Sequence, residues 1–299
     1  MKDGVLNINK PAGWTSQDVC AKLRGRLHIK RIGHTGTLDP MATGVLPVCI
    51  GKATRIIEYY DNDFKTYHAG MKLGITTDTL DCTGTVLEEK AVLIREEDIR
   101  KAFEEYTGKV SQIPPKYSAL KINGKRAYEL AREGKDFEIK AREIMILSNE
   151  ITKLDIESGE IEFDVTCSKG TYIRTICDDI GRRLGCGAVM TSLVRTRSGY
   201  FDISEALDLI EIIEKTDEDI EKLVIPMDET LINLGTVELN DNRFTAFVNG
   251  NSSGTGYKVI KEPVSPAGAY RVYNRERFLG IAAIEGRDLV PAKVINTGK

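Results

Sequence analysis

Residues 33–44 read Gly33-His34-Thr35-Gly36-Thr37-Leu38-Asp39-Pro40-Met41-Ala42-Thr43-Gly44, and the apolar run Val45-Leu46-Pro47-Val48-Cys49-Ile50 follows at once. One carboxylate, Asp39, therefore stands in a glycine-flanked turn at the mouth of a strand whose composition calls for burial. Loops held on a rigid scaffold are where binding and catalytic groups concentrate, so such a turn can aim a carboxylate at a ligand. The plainer reading is a turn and nothing more, because Asp hydrogen-bonds its own backbone and Pro presets φ. What separates this block from an ordinary turn is its company: three further segments fit the same site.

Upstream, Val5-Leu6-Asn7-Ile8-Asn9 is a short extended run that Lys10-Pro11-Ala12-Gly13 breaks. Thr15 and Asp18 then form a helix-start signature, with Val19, Leu23 and Leu27 at helical spacing. Downstream, a helix is predicted from about Lys52 to Tyr60, and Lys65 to Leu73 alternates as a strand carrying Tyr67. Residues 78–84 form a turn-rich loop, and residues 96–107 an amphipathic helix with Ile99, Phe103 and Tyr106 inward. Pro114-Pro115 stops regular structure. Residues 112–145 read as an inserted arm, with a turn at Asn123-Gly124 and a basic helix over Ala127 to Arg132. A strand at 161–167 turns through Ser168-Lys169-Gly170 into a helix with Ile173, Ile176, Cys177, Ile180 and Leu184 on one side; Gly185 stops it, and residues 193–201 are extended. Strands and helices mix without βαβ alternation, so the fold class is α+β. Past a boundary near Pro226–Gly235, short strand-like runs between glycine-rich turns predict a small β-barrel. Residues 250–256 lack the Lys-Ser/Thr ending of a phosphate loop and read as a hairpin tip.

A chain of 299 residues suits one large domain and one small one, and 41% hydrophobic with 29% charged residues describes a soluble protein with a core. No apolar run reaches membrane-spanning length and the N-terminus has no secretory apolar region, so a cytoplasmic location is expected. Six scattered cysteines without Cys-x-x-Cys spacing read as reduced thiols, and three histidines give little support to a metal cluster. The formal charge of −3 argues against a protein that coats nucleic acid indiscriminately, but the charge is segregated. Residues 116–142 and 169–197 each carry a net +4, whereas residues 202–229 hold eleven acidic side chains against two basic ones. That pattern fits either a one-sided RNA footprint or solvated helix faces.

Four segments together resemble, in order, the motifs of the TruB family of tRNA pseudouridine synthases: Lys10–Ser16, Gly33–Gly44, Lys65-Thr66-Tyr67 with Asp78-Thr79-x-Asp81, and Cys167–Thr175. The resemblance covers about residues 4–200 and is looser beyond. It implies a pseudouridine synthase-like catalytic domain over 1–230 with a mixed, largely antiparallel sheet, and a PUA-like RNA-binding barrel over 236–299. It implies isomerisation of uridine 55 in the T arm of tRNA by base flipping, without metal or cofactor. Asp39 then takes the role of nucleophile, at C1′ or C6, and Arg174 is the cation that keeps it ionised. Tyr67 stacks on the base or takes the C5 proton, and Leu193 closes the other face. Tyr172 and Asp81 match pocket positions, Lys10 reaches backbone or phosphate, and His34 fills the stack that the flipped base leaves. Lys121, Lys125 and Arg126 belong to a thumb that closes over RNA, the feature of the stand-alone bacterial enzyme, so a monomer without guide RNA is expected. A different class of function uses the same surface: a protein that grips and refolds tRNA without chemistry. Asp39 discriminates, since a pure binder gains nothing from a carboxylate facing phosphates.

Overall fold

In the computed structural model, residues 2–60, 64–122, 124–264 and 268–295 are described. Ten strands form one mixed sheet. Its main path runs Leu207–Asp208, Gly4–Lys10, Thr43–Ile50, Ala188–Ser198, Lys65–Leu73, Glu160–Cys167, Arg142–Asp155 and Gly108–Gln112. Ile32–His34 pairs with Thr43–Ile50, and Phe201–Asp202 with Ala188–Ser198. Two contacts in this sheet are parallel, those of 4–10 with 207–208 and of 43–50 with 188–198; the others are antiparallel. The class is α+β, as the element pattern predicts, and the sheet is mixed and largely antiparallel, as the resemblance implies.

The central strands are covered on both faces, and period 2 sorts their side chains. Leu6, Ile8, Leu46, Val48 and Ile50 enter the main core, while Val5, Val45 and Cys49 enter a second cluster on the other face. The polar Asn7 in this buried strand is reconciled by its amide, which donates to the Asp202 carbonyl at 2.8 Å. Helix Ser16–Leu27 starts as expected: Thr15 accepts from the Asp18 N–H, and Asp18 accepts back from the Thr15 N–H. Its Val19, Cys20, Leu23 and Leu27 enter the main core. Helix Ile173–Arg183 packs on Ala188–Ser198 and ends before Gly185, whose φ of +81° is the left-handed stop that glycine supplies.

Several expectations are refined or corrected. The helix expected from about Lys52 to Tyr60 is present over Gly51–Tyr60, of the 3₁₀ type, burying Ala53, Ile56 and Tyr60. Arg142–Asp155 is a fourteen-residue strand that the pattern did not disclose. Because Arg142 pairs with Gln112, the arm over 113–141 is an excursion between the edge strand 108–112 and its hydrogen-bonded neighbour 142–155. Of the turn expected at Asn123-Gly124, Asn123 lies outside the described residues, while Gly124 has φ +87° between Lys121–Ile122 and Lys125–Arg126. Of the six free cysteines, Cys82 alone is exposed.

At the C-terminal end, Tyr257–Lys261, Gly235–Leu239, Tyr270–Asn274, Arg277–Glu285 and Asp288–Val294 form a second sheet in that order. The closed barrel expected here is not formed among the described residues. The parallel pairing of 235–239 with 270–274 leaves 257–261 and 288–294 as separate edges of the sheet, and Leu289 is bridged to Ser253 of the segment that precedes 257–261. The 250–256 segment is correspondingly no hairpin tip; it links helix Phe244–Val248 to strand 257–261. Phe278, Ile281 and Ile295 of this part share a buried cluster with Val5, Val45 and Phe201 of the large sheet. Among the described residues no helix is long and apolar enough to cross a membrane.

Candidate active site

The loop 35–42 leaves strand 32–34 and re-enters the sheet as strand 43–50. It is tied down at each step. Thr35 N–H donates to the Pro47 carbonyl at 3.1 Å and Gly13 N–H to the Pro40 carbonyl at 2.8 Å. Leu38 N–H donates to Ser16 Oγ at 2.9 Å. Lys10, fully buried, donates to the carbonyls of Pro11, Trp14 and Pro40 at 2.8, 2.7 and 3.2 Å. Of the two options read for Lys10, backbone or phosphate, the structure has it on backbone. Burial is the main cause that lowers its pKa to about 8, against the opposing pull of the Asp39 carboxylate. Gly44 closes the loop at φ +98°, where a Cβ would lie 2.3 Å from the Arg195 carbonyl oxygen. Only glycine fits the conformation and that approach.

Asp39 is thereby held with 34% of its side chain open, in a recess. Arg174, in the first turn of helix 173–183, faces it. Nη2 donates to Asp39 Oδ1 at 3.3 Å and Nε stands within ion-pair distance of Oδ2, 3.0 Å away, so the guanidinium lies against both carboxylate oxygens. Arg174 is itself buried, and its other bonds fix the fork: Nη1 lies 3.4 Å from Asp81 Oδ2 and donates to the Thr79 carbonyl, while Nη2 donates to the Tyr117 carbonyl, both at 3.1 Å. Asp81 is buried and accepts from Thr79 Oγ1, Thr83 N–H and Thr83 Oγ1 at 2.8, 3.0 and 2.6 Å. The recess walls raise the Asp39 pKa by desolvation; Arg174 and Lys10 pull it back down, and Asp81 adds to the rise. The result is a carboxylate that is accessible, poorly hydrated and steered chiefly by Arg174, with Lys10 adding to its pull.

Tyr67 is buried on strand 65–73, directly opposite Arg195 in register, and burial is the first cause that raises its phenol pKa. At neutral pH its phenol is un-ionised. Leu193, buried on strand 188–198, pairs with Ala69. Tyr172 precedes helix 173–183, with its backbone clamped by Gln112: Tyr172 N–H donates to Oε1 at 2.9 Å and Nε2 donates to its carbonyl at 3.1 Å. His34 ends strand 32–34, with Nε2 3.4 Å from Gln17 Nε2; desolvation is the main cause lowering its pKa, so the ring is neutral at pH 7. Lys121, Lys125 and Arg126 are exposed on the small hairpin of the arm and are not part of the carboxylate cluster. Among the described residues no group of three His, Cys, Asp or Glu is placed to hold a metal.

Three residues of this assembly were not singled out by sequence. Gln112 sits at the arm's root, and Tyr117 supplies Arg174 with a carbonyl that no sequence pattern marks. Arg195 did leave a signal: period 2 puts it on the face of Leu193.

Residues 24–173 match the model of the TruB family pseudouridylate synthase N-terminal domain, and residues 174–232 that of the tRNA pseudouridylate synthase B C-terminal domain. The chain is 44% identical over 283 residues to tRNA pseudouridine synthase B of Clostridium kluyveri, covering 93% of this chain and 94% of that one. It is 42% identical over 294 residues to the protein of the same name from Clostridium novyi, covering 98% and 99%. Among solved structures it resembles a chain of a Cbf5-Nop10-Gar1 complex, with TM-score 0.77 and 25% identity over 98% of this chain and 85% of that one.

Proposed function

The chain belongs to the TruB family of pseudouridine synthases, and from that premise we propose that it isomerises uridine 55 in the T arm of tRNA to pseudouridine. The observation that carries the reading is Asp39, one-third open in a fixed loop and gripped by the buried Arg174 at 3.0 and 3.3 Å. The reaction detaches uracil from C1′ and reattaches it through C5. It needs a nucleophile, a pocket for the free base, and a path for the C5 proton. Asp39 is the nucleophile. Arg174 keeps it ionised despite burial, Asp81 and the Tyr117 carbonyl hold that guanidinium, and Lys10 braces the loop beneath it. Tyr67 and Leu193 enclose the base on its two faces, with Tyr172 at the rim.

A base stacked in a folded arm is out of reach of a recessed carboxylate, so the target nucleotide is extruded. His34, neutral and partly open at the end of its strand, fills the gap. The exposed Lys121, Lys125 and Arg126 bring the arm onto the RNA backbone. We assign residues 1–230 to the catalytic domain and 236–299 to a PUA-like RNA-binding unit, whose edge strand turns Lys258 and Lys261 outward. The enzyme acts as a cytoplasmic monomer without guide RNA. A protein that only refolds tRNA has no use for a desolvated carboxylate, which costs stability and repels phosphate. The test is incubation with unmodified tRNA followed by nucleoside analysis. One pseudouridine per molecule, at position 55, is expected; tight binding without any pseudouridine overturns the reading.

A further inference from the structure

Arg195 has no role in the chemistry outlined above, yet among the described residues it is the largest fully buried side chain, 1% exposed. Its Nε donates to the Val45 carbonyl at 2.6 Å and its Nη2 to the Gly36 carbonyl at 3.2 Å. Among the described residues it has no carboxylate within ion-pair distance. A buried cation without a counter-ion costs several kcal/mol, and a packed apolar side chain would make the more stable protein. The position is therefore not explained by folding.

Its surroundings point elsewhere. Strand register sets Arg195 directly across from Tyr67, with Leu193 two residues away on the same face, so the guanidinium lies beside the phenol that borders the base pocket. Around the recess stand the buried cations Lys10, Arg174 and Arg195, with buried Lys65 beside Arg195 at Gly36, and the carboxylates Asp39 and Asp81 face Arg174 and Lys10. Arg195 has no carboxylate of its own before substrate arrives.

The chemistry supplies the missing negative charge. If Asp39 attacks C1′, an ester bond forms, the C1′–N1 bond breaks, and its electron pair leaves on the uracil. If Asp39 attacks C6, the C5–C6 π pair moves through C4 onto O4 as an enolate. In both routes the charge of Asp39 ends on the pyrimidine. We propose that Arg195 is a positioning residue whose carboxylate-free cation, placed behind Tyr67, favours the transfer of negative charge from Asp39 to the pyrimidine. The inference rests on the function proposed above. A fixed charge aimed at a developing anion in a dry site is the kind of contribution whose removal costs roughly 10²–10³ in rate.

The test compares wild type, Arg195→Met and Arg195→Lys in single turnovers, on tRNA carrying uridine or 5-fluorouridine at the target and measured as consumption of that nucleoside. Fluorine withdraws electrons, so the ring depends less on outside help to hold the charge. Arg195→Met is expected to slow uridine consumption by roughly 10²–10³ and to have a clearly smaller effect on 5-fluorouridine; Arg195→Lys restores much of the loss. An equal fold-loss on both substrates, no loss at all, or a lysine variant as slow as the methionine one overturns the proposal, because misplacement of Tyr67 or the loop slows both alike. Where Arg195→Met does not fold, Arg195→Lys decides: rates within tenfold of wild type on both substrates support it, and a larger loss on both overturns it. Wild-type protein that makes no pseudouridine defeats instead the function on which the inference rests.

Discussion

Replacing Asp81 by Asn separates two things that this carboxylate does. Asp81 and Arg174 each keep only 6% of their side chain exposed, and their closest charged atoms are 3.4 Å apart. Breaking a buried ion pair by removing one partner costs ~3–5 kcal/mol. The amide keeps an oxygen for Thr79 and Thr83, and Arg174 keeps Asp39 and two carbonyls, so the low end, about 3 kcal/mol, is expected. At ~2–4 °C per kcal/mol for a chain of this class, Tm falls by roughly 6–12 °C. The catalytic effect has its own sign. Asp81 is one of the causes raising the Asp39 pKa. Asp39 works ionised, so activity is lost as pH falls through its pKa; taking away the Asp81 charge lowers that pKa and moves the acid limb of the single-turnover rate to lower pH. The looser fork costs roughly 10–100-fold in the plateau rate. The assay is a thermal melt beside a pH–rate profile on unmodified tRNA. A Tm within ~2 °C of wild type, or an acid limb that moves upward, refutes this account of the pair.

Arg174→Met should do the opposite at the acid limb. Its cation is the largest cause holding the Asp39 pKa down, so the limb moves to higher pH; a limb that stays in place removes Arg174 from this role. Replacing Lys121, Lys125 and Arg126 together by Ala should flatten the slope of log K against log salt, each phosphate contact contributing roughly 0.7–0.9. An unchanged slope makes the arm hairpin a solvated face. His34→Ala should slow intact tRNA more than a stem-loop with a weakened loop fold, because filling a gap matters less where the base is already unstacked. An equal loss on both substrates reopens His34 as an acid–base group.

The parts of this protein that sequence disclosed are those whose determinants are local. The strand Lys65–Leu73 and the helix start at Thr15 and Asp18 were legible because alternation and a four-residue capping signature are short-range patterns. The strand Arg142–Asp155 was not. It has register shifts between Ile146 and Ser148 and between Ile151 and Lys153, which break the period of 2, and most of its side chains lie outward or half-open. The site shows the same division. Asp39 and Arg174 were readable from motif, but the burial of Lys10 depends on three carbonyls converging from Pro11, Trp14 and Pro40, which no linear pattern contains. The open second sheet was missed for a similar reason: evenly spaced short strands announce pairing, but not whether the edges meet.

The central claim is that Asp39 performs chemistry rather than shaping a surface. Asp39→Asn is nearly isosteric and keeps an oxygen for Arg174, while its amide is a poor nucleophile. The direct measurement is pseudouridine in unmodified tRNA after prolonged incubation with purified Asp39→Asn protein, beside its affinity for the same tRNA. The account predicts affinity close to wild type and pseudouridine formation reduced by several orders of magnitude. Multiple turnover by the variant at a rate near that of wild type would contradict it.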